Sequence, residues 1–167
     1  MSLSAYDVTV PVYLRLFAIL VATLDKAAAY AAEKKVAPAV LVNARLYPDM
    51  WSVGEQVRAS CNHAVRGTAR LAGVPIPTFD GKDATFDDLK ARVAFTVAHL
   101  KGLDRKAFDD ADTRTIVFPA GDAERRMSGA DYLLAFSLPN FYFHLTTVYD
   151  ILRHNGVPLV KEDFMGE

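Results

Sequence analysis

The chain has 167 residues, 51% of them hydrophobic and 23% charged, which fits one domain over residues 1–167 with a core that needs no disulfide or metal. A formal net charge of −1 gives no electrostatic reason to expect nucleic acid as a partner. Cys61, the single cysteine, excludes an intrachain disulfide and favours a reducing compartment. The apolar run 16–24 is far shorter than the ~20 residues of a membrane-spanning helix. We therefore expect a soluble, cytoplasmic protein with no membrane partner.

The first predicted helix extends from about Thr9 to about Lys35, because apolar residues recur there at intervals of three and four positions. Pro38 ends this pattern, and residues 38–48 are predicted to form a long connection with a short turn of its own. The recurring apolar residues are Tyr13, Phe17, Leu20, Leu24 and Ala28.

Capping boxes mark the starts of the second and third predicted helices, because each side chain of such a box binds the free backbone N–H of the other residue. Ser52 with Glu55 begins the second helix, and Gly73 is suited to end it. Thr85 with Asp88 begins the third helix, which we expect to end before residue 102.

Residues 114–127 predict a small β-hairpin, because two short strand-like runs flank the turn-forming residues 119–122. The last helix should begin at Ser128 and end near residues 155–156. The fold class is therefore all-α, a four-helix bundle with a small β-hairpin before the last helix. The tail 157–167 is predicted to be irregular coil.

Pro139 lies inside the last predicted helix. Proline removes a backbone donor and clashes with the preceding turn, so we predict a kink there and a freed carbonyl near Ala135. Freed backbone groups in a bundle can line a pocket.

His144 is the leading candidate for a functional residue. It lies in the middle of the last helix, inside the aromatic run NFYFH, and Asn140 precedes it by one turn on the same side. One hypothesis is a half-buried histidine that is hydrogen-bonded to a neighbour. The other is a histidine that lines a ligand pocket, together with Asn140 and Tyr142.

Two polar residues of the long connection are further pocket candidates. Arg45 suits the role of partner to a carboxylate, and Asp49, beside Pro48, suits a turn or helix start. Structural roles are the favoured interpretation for both.

The remaining candidates have structural interpretations. Cys61 lies on the apolar stripe of the second helix, which favours a buried, unreactive thiol. His63 and His99 are predicted to point away from the stripes of their helices. The last helix carries aromatic residues on several sides, which a second buried surface such as a homodimer interface would explain. These aromatic residues are Tyr132, Phe136, Phe141, Tyr142, Phe143 and Tyr149.

Three stretches resemble a bacterial family of unknown function that belongs to the DinB-like superfamily. They are VPVYLRLFAILVATLDKA, ARLYPDM, and LLAFSLPNFYFHLTTVYDILRHNGVPLVKEDFMG over residues 133–166. The resemblance implies an up-down-down-up four-helix bundle that is often dimeric. It also implies relatives in which three histidines bind a divalent ion, some of which use low-molecular-weight thiols in isomerase or transferase reactions.

In the metal-binding relatives, one histidine comes from the second helix and an H-x-x-x-H pair precedes an LR-x-x-G ending on the last helix. Residues 152–156 match that ending, so His144 corresponds to the second histidine of the pair. Asn140 stands in place of the first, and His63 lies on the second helix at a plausible height. The resemblance thus names His144 and His63 as metal ligands, for Zn, Ni or Mn.

Three hypotheses follow for function. The first is a small-molecule-binding bundle, homodimeric, with its pocket beside His144, Asn140 and the Pro139 kink. The second is a divalent-metal-dependent enzyme of the DinB-like type, acting as a thiol-dependent transferase or isomerase. The third is a non-catalytic dimerisation module.

Overall fold

The computed structural model describes residues 3–166, apart from the side chain of Ala120, and most of this part is helical. In chain order the helices are α1 (Val10–Glu33), α2 (Pro38–Val42), α3 (Val53–Ala72), α4 (Phe86–Lys101), α5 (Gly129–Asp131), α6 (Leu138–His154) and α7 (Lys161–Met165). The other elements are a 3-10 turn (Arg105–Phe108), strands β1 (Thr115–Ala120) and β2 (Ala123–Ser128), and a π-helical stretch (Tyr132–Ser137) between α5 and α6.

The four long helices pack around one core. Helix α3 packs against both α4 and α6, and α1 packs against the same two helices from the other side. The centre is apolar, and Tyr13 and Phe17 of α1 contact Phe141 of α6 at ring-centroid distances of 4.2 Å and 5.7 Å. The predicted helical bundle is confirmed.

The predicted capping boxes are present at both helix starts. Glu55 Oε2 accepts a hydrogen bond from the backbone of Ser52 at 2.8 Å, and Ser52 Oγ accepts one from the backbone of Glu55. Thr85 and Asp88 form the same arrangement at the start of α4. Gly73 ends α3 with a φ of 67°, a left-handed conformation that glycine adopts without strain.

The predicted hairpin is also confirmed, and it covers the last helix. Its strands are antiparallel, from Thr115 opposite Ser128 to the turn that closes at Gly121. Phe118 of β1 is buried against Tyr132 and Phe136, at ring-centroid distances of 4.9 Å and 4.6 Å. The hairpin therefore supplies part of the second buried surface that the aromatic last helix requires.

At Pro139 the helix is disturbed in a specific way. The π-helical stretch ends at Ser137, two residues before the proline, and its wider turns change the hydrogen-bonding register. Asn140 Nδ2 donates to the carbonyl of Phe136 at 2.7 Å. The expected disturbance thus takes the form of a π-helical insertion, with a side-chain amide bound to one of its carbonyls.

The prediction of an irregular tail was wrong for residues 161–165, which form α7. Asp163 accepts from the backbone N–H of Val160 and pairs with Lys26 of α1. Arg15 of α1 donates to the carbonyl of Met165 at 2.6 Å. These contacts with α1 stabilise a helix that is too short to persist alone.

Among residues 3–166, no helix is both long enough and apolar enough to cross a membrane.

Candidate functional site

The candidate site is built around His144, which α6 presents to α3. Only 8% of His144 is exposed, and its Nδ1 lies 2.7 Å from Oε1 of Gln56 on α3. This bond crosses the most extensive helix–helix contact of the bundle. It confirms the interpretation of His144 as a buried histidine with a hydrogen-bonded neighbour.

The partners of Gln56 determine the proton positions on His144. Gln56 Nε2 donates to the backbone carbonyl of Trp51 at 3.2 Å, and a carbonyl can only accept. Oε1 therefore faces His144, and Nδ1 of His144 must be the donor. Because burial lowers the pKa of His144, the ring is neutral near pH 7 and its lone pair is on Nε2.

Trp51 forms one side of the site. Its ring is nearly parallel to that of His144, with 15° between the planes and 5.3 Å between the centroids. The indole remains 48% exposed. Phe143, also exposed, contacts the same imidazole edge-on at 5.3 Å. The site is therefore an imidazole flanked by two partly exposed aromatic rings.

The loop that carries Trp51 is held by charged contacts. Arg45 forms an ion pair with Glu55 at 3.0 Å and donates to the carbonyl of Met50. Arg45 is thus a carboxylate partner, as its sequence context suggested. Asp49 is exposed in the turn of this loop. Both residues belong to the loop that positions Trp51.

His63 lies off the apolar stripe of α3, as predicted, but the face that carries it is also covered. His63 is half-buried, and its ring lies 5.4 Å from that of His144 with 20° between the planes. Phe136, in the π-helical stretch, packs on it at 5.9 Å. The apolar stripe of α3 faces the core, but α6 and the π-helical stretch cover a second face of the helix, which periodicity alone could not reveal.

His63 is also neutral near pH 7. Burial, with a contribution from the nearby His144, lowers the pKa of His63 to about 4. Arg66 and Arg70 act in the same direction. Two neighbouring neutral imidazoles can each accept a hydrogen bond or bind a cation through the unprotonated nitrogen, but neither is an imidazolium that could act as a general acid near pH 7.

The residues present do not fit a three-histidine metal site. Asn140 stands in place of one histidine, and its amide nitrogen is bound to the carbonyl of Phe136. Within residues 3–166, no group of three His, Cys, Asp or Glu side chains is placed to hold a metal ion. His63 and His144 remain as a pair of nitrogen ligands.

The structure does not bring all predicted pocket residues together. Tyr142 lines an open apolar groove with Leu16 and Phe164, away from His144. None of the five cavities that stand out in the described part of the chain is lined by His144 or Asn140. The pocket expected beside His144 and the Pro139 kink is thus not among these cavities.

Sequence reasoning missed Gln56 and Trp51. Gln56 is fully buried on the face of α3 that packs against α6, and Val53 and Val57 are also buried. A polar residue at such a position signals a buried hydrogen-bonded partner. This signal was present in the sequence, whereas nothing local to Trp51 indicates that it lies against His144.

The fold and the site define a DinB-like helical bundle without the full set of metal-binding histidines. A crystal structure of a DinB family member protein from Shewanella denitrificans is similar over 97% of this chain and 92% of that chain, with 37% identity and a TM-score of 0.90. The model of the domain of unknown function DUF1993 matches residues 5–165, so the chain belongs to this family. A search of the curated proteins found no match.

Proposed function

We propose that this protein binds a small molecule at a site beside the last helix, centred on His144. The observation that supports this most directly is the Gln56–His144 hydrogen bond, because it leaves Nε2 as a fixed, neutral acceptor. A ligand with a hydrogen-bond donor and a flat apolar group fits this arrangement. Its donor would bind His144, and its flat group would pack on the exposed face of Trp51.

The neighbouring polar groups support the same ligand chemistry. Asn140 uses its amide nitrogen within the helix, so its Oδ1 is an acceptor one turn away from His144. His63 adds a second neutral imidazole. Arg45 and Asp49 contribute indirectly, because they belong to the loop that positions Trp51. Tyr142 is not expected to contact the ligand.

Trp51, the only tryptophan of the chain, makes the proposal testable by fluorescence. Tyramine and dopamine carry both an amine donor and an aromatic ring and serve as probes. We expect saturable quenching of Trp51 emission by at least one of them. In His144→Gln the affinity should fall by about tenfold, the loss of roughly one hydrogen bond to the ligand.

His154→Gln is the matched control, because His154 is exposed at the end of α6. Its binding curves should match those of the wild type. If none of the probes gives saturable quenching, or if both variants bind equally well, the site at His144 is not a binding site of this kind.

A divalent cation on His63 and His144 is the second candidate. Nitrogens on one ion with bonds of about 2.1 Å lie within roughly 4 Å of each other, and ring centroids 5.4 Å apart are compatible with that separation. Water would have to complete the coordination. Two measurements test this cation site. They are elemental analysis of untagged protein and the thermal shift on adding Zn²⁺, Ni²⁺ or Mn²⁺. Substoichiometric metal with no shift would exclude this candidate.

A homodimer in the cytoplasm completes the proposal. Apolar side chains that remain exposed, such as Leu134 and Phe143, are suited to a contact with a second copy. The lone, buried Cys61 agrees with a reducing compartment. Sedimentation equilibrium measures the oligomeric state.

The third hypothesis, a non-catalytic dimerisation module, gives a different expectation. In that case His144→Gln should change the stability of the protein but not its binding of any probe.

A further inference from the structure

A cavity of about 240 Å³ lies between α3, α4 and the extended segment that connects them. It uses a different face of α3 from the one that carries His63. Three arginines line it, Arg58 and Arg66 from α3 and Arg92 from α4, and no acidic residue does. A polar cavity of this size suits a small ligand, since it is slightly smaller than the ~300 Å³ at the low end for drug-sized ligands.

Arg92 is the unusual member of this set because it is only 6% exposed. Its Nε and Nη2 bind the two carboxylate oxygens of Asp83 at 2.5 Å and 2.8 Å, a bidentate pair. Its guanidinium also lies 4.5 Å from the ring centroid of Phe79. These contacts hold the guanidinium plane rigidly at the wall of the cavity.

One edge of this guanidinium remains available. Nη1 of Arg92 makes no hydrogen bond within residues 3–166, and it is not among their fully buried unpaired atoms. Nη1 is therefore a donor without a protein partner, on a residue that lines the cavity.

The charge around the cavity is positive. Asp83 neutralises one guanidinium and lies 3.9 Å from a second, Arg58. Three positive groups against this one carboxylate leave a net formal charge of +2. Arg66 is exposed and forms no ion pair in the described part of the chain. Such an arrangement attracts a small anion.

The rest of the lining is apolar and aromatic. Phe79 and Phe95 lie 5.3 Å apart, and Ile76 and Pro77 extend the same wall. Cys61 contributes a thiol whose pKa is raised to about 12 by burial, so it behaves as a small apolar group there. A flat aromatic ring finds contacts here that an inorganic ion would not.

From this geometry we infer that the α3–α4 cavity is a binding site for a small aromatic carboxylate. The carboxylate binds Nη1 of Arg92 together with the exposed guanidiniums of Arg58 and Arg66. The ring packs against Phe79 and Phe95. This site is separate from the one at His144, and neither requires the other to be occupied.

The probe is 4-fluorobenzoate, followed by ¹⁹F NMR, with neutral 4-fluorobenzamide as the matched probe. The wild type should bind the carboxylate saturably, and the amide at least tenfold more weakly. The double variant Arg58→Gln, Arg66→Gln should weaken carboxylate binding at least tenfold without affecting Asp83–Arg92. Arg125→Gln, an exposed arginine of the hairpin, should bind like the wild type.

Arg92→Lys provides a second, independent variant, because it keeps the charge but removes the planar fork. If it folds, it should also weaken binding. Backbone amide shifts on adding 4-fluorobenzoate should be largest at the lining residues Thr96 and Asn62. Absence of saturable binding up to about 20 mM, a very weak affinity, would overturn the inference. Equal binding by the double variant, or by the amide, would do the same.

Discussion

Gln56 and His144 join α3 to α6 through a buried hydrogen bond of 2.7 Å between Oε1 and Nδ1. The same glutamine holds the backbone of Trp51, so one amide connects two helices and a loop. Each of its two polar atoms has a partner, which is the condition for a polar group to be stable in a core. The tautomer of His144 is therefore set by a residue far away in the sequence.

Replacing Gln56 by glutamate should raise the pKa of His144 above its wild-type value. A carboxylate beside Nδ1 favours the imidazolium, whereas the neutral amide does not. An NMR titration of the histidine ring protons measures this directly. Glu55→Gln, one residue away, alters the cap and the Arg45 ion pair and should leave the pKa of His144 nearly unchanged. An unaltered titration in Gln56→Glu would show that the two side chains are not in contact.

His63 should make the protein less stable as the pH falls from about 6.5 to about 4. Its pKa is lowered to about 4 in the folded state, so over this window the unfolded chain binds more protons than the folded one. The free energy of unfolding should therefore rise with pH there, by on the order of 3 kcal/mol at most for this group. Below the window the dependence levels off.

Urea unfolding at several pH values tests this prediction. His63→Gln should show a shallower pH dependence than the wild type, while His154→Gln should match the wild type. Burial also lowers the pKa values of His99 and His144. These two residues should therefore contribute part of the pH dependence of stability in the wild type and in His63→Gln alike. Identical slopes for wild type and His63→Gln would mean that His63 is not desolvated in the folded protein.

Phe118→Ala should destabilise the protein by about 3–5 kcal/mol, because it removes a buried ring from the contact between hairpin and last helix. Val117→Ala is the matched control. Val117 is the adjacent residue of the same strand, faces the opposite side and is 40% exposed, so we expect a change within about 0.5 kcal/mol. Chemical denaturation measures both, and similar values would contradict the docking of the hairpin through Phe118.

Gly129→Ala should destabilise the protein by more than about 2 kcal/mol. A Cβ at this position would lie 1.6 Å from the backbone carbonyl oxygen of Ala111, and backbone cannot rotate away. Gly102→Ala is the control, because Gly102 has helical torsion angles and its nearest such contact is 3.4 Å. That variant should be neutral or slightly stabilising. Comparable melting temperatures for the two variants would argue against the close approach at Gly129.

Local chemistry made the helix starts and the hairpin predictable. Ser52 and Glu55 satisfy each other's backbone groups within one turn, so their contact requires no distant residue. The turn at Gly121 needs a positive φ, and residues 115–119 of β1 alternate in exposure, which is again a local pattern. The long helices were predictable for the same reason, because the spacing of their apolar residues is a local property of the sequence.

The helical tail and the burial of His63 were not predictable in this way. Helix α7 is stabilised by Lys26 and Arg15, which belong to a helix at the other end of the chain. His63 is covered by α6 and the π-helical stretch, so its burial depends on how another helix is rotated. Neither set of contacts produces a recognisable pattern in the local sequence, because the contacting residues are far apart in the chain.

The sequence by itself determined a helical bundle with a hairpin, the positions of its helix starts and the candidacy of His144, because these depend on interactions within one or two turns. Only the tertiary structure decided that Gln56 orients His144, that Trp51 lies against it, and that Arg92 and Asp83 form a wall of a second cavity. Those contacts depend on the relative rotation and height of helices, which follow from packing of the whole core.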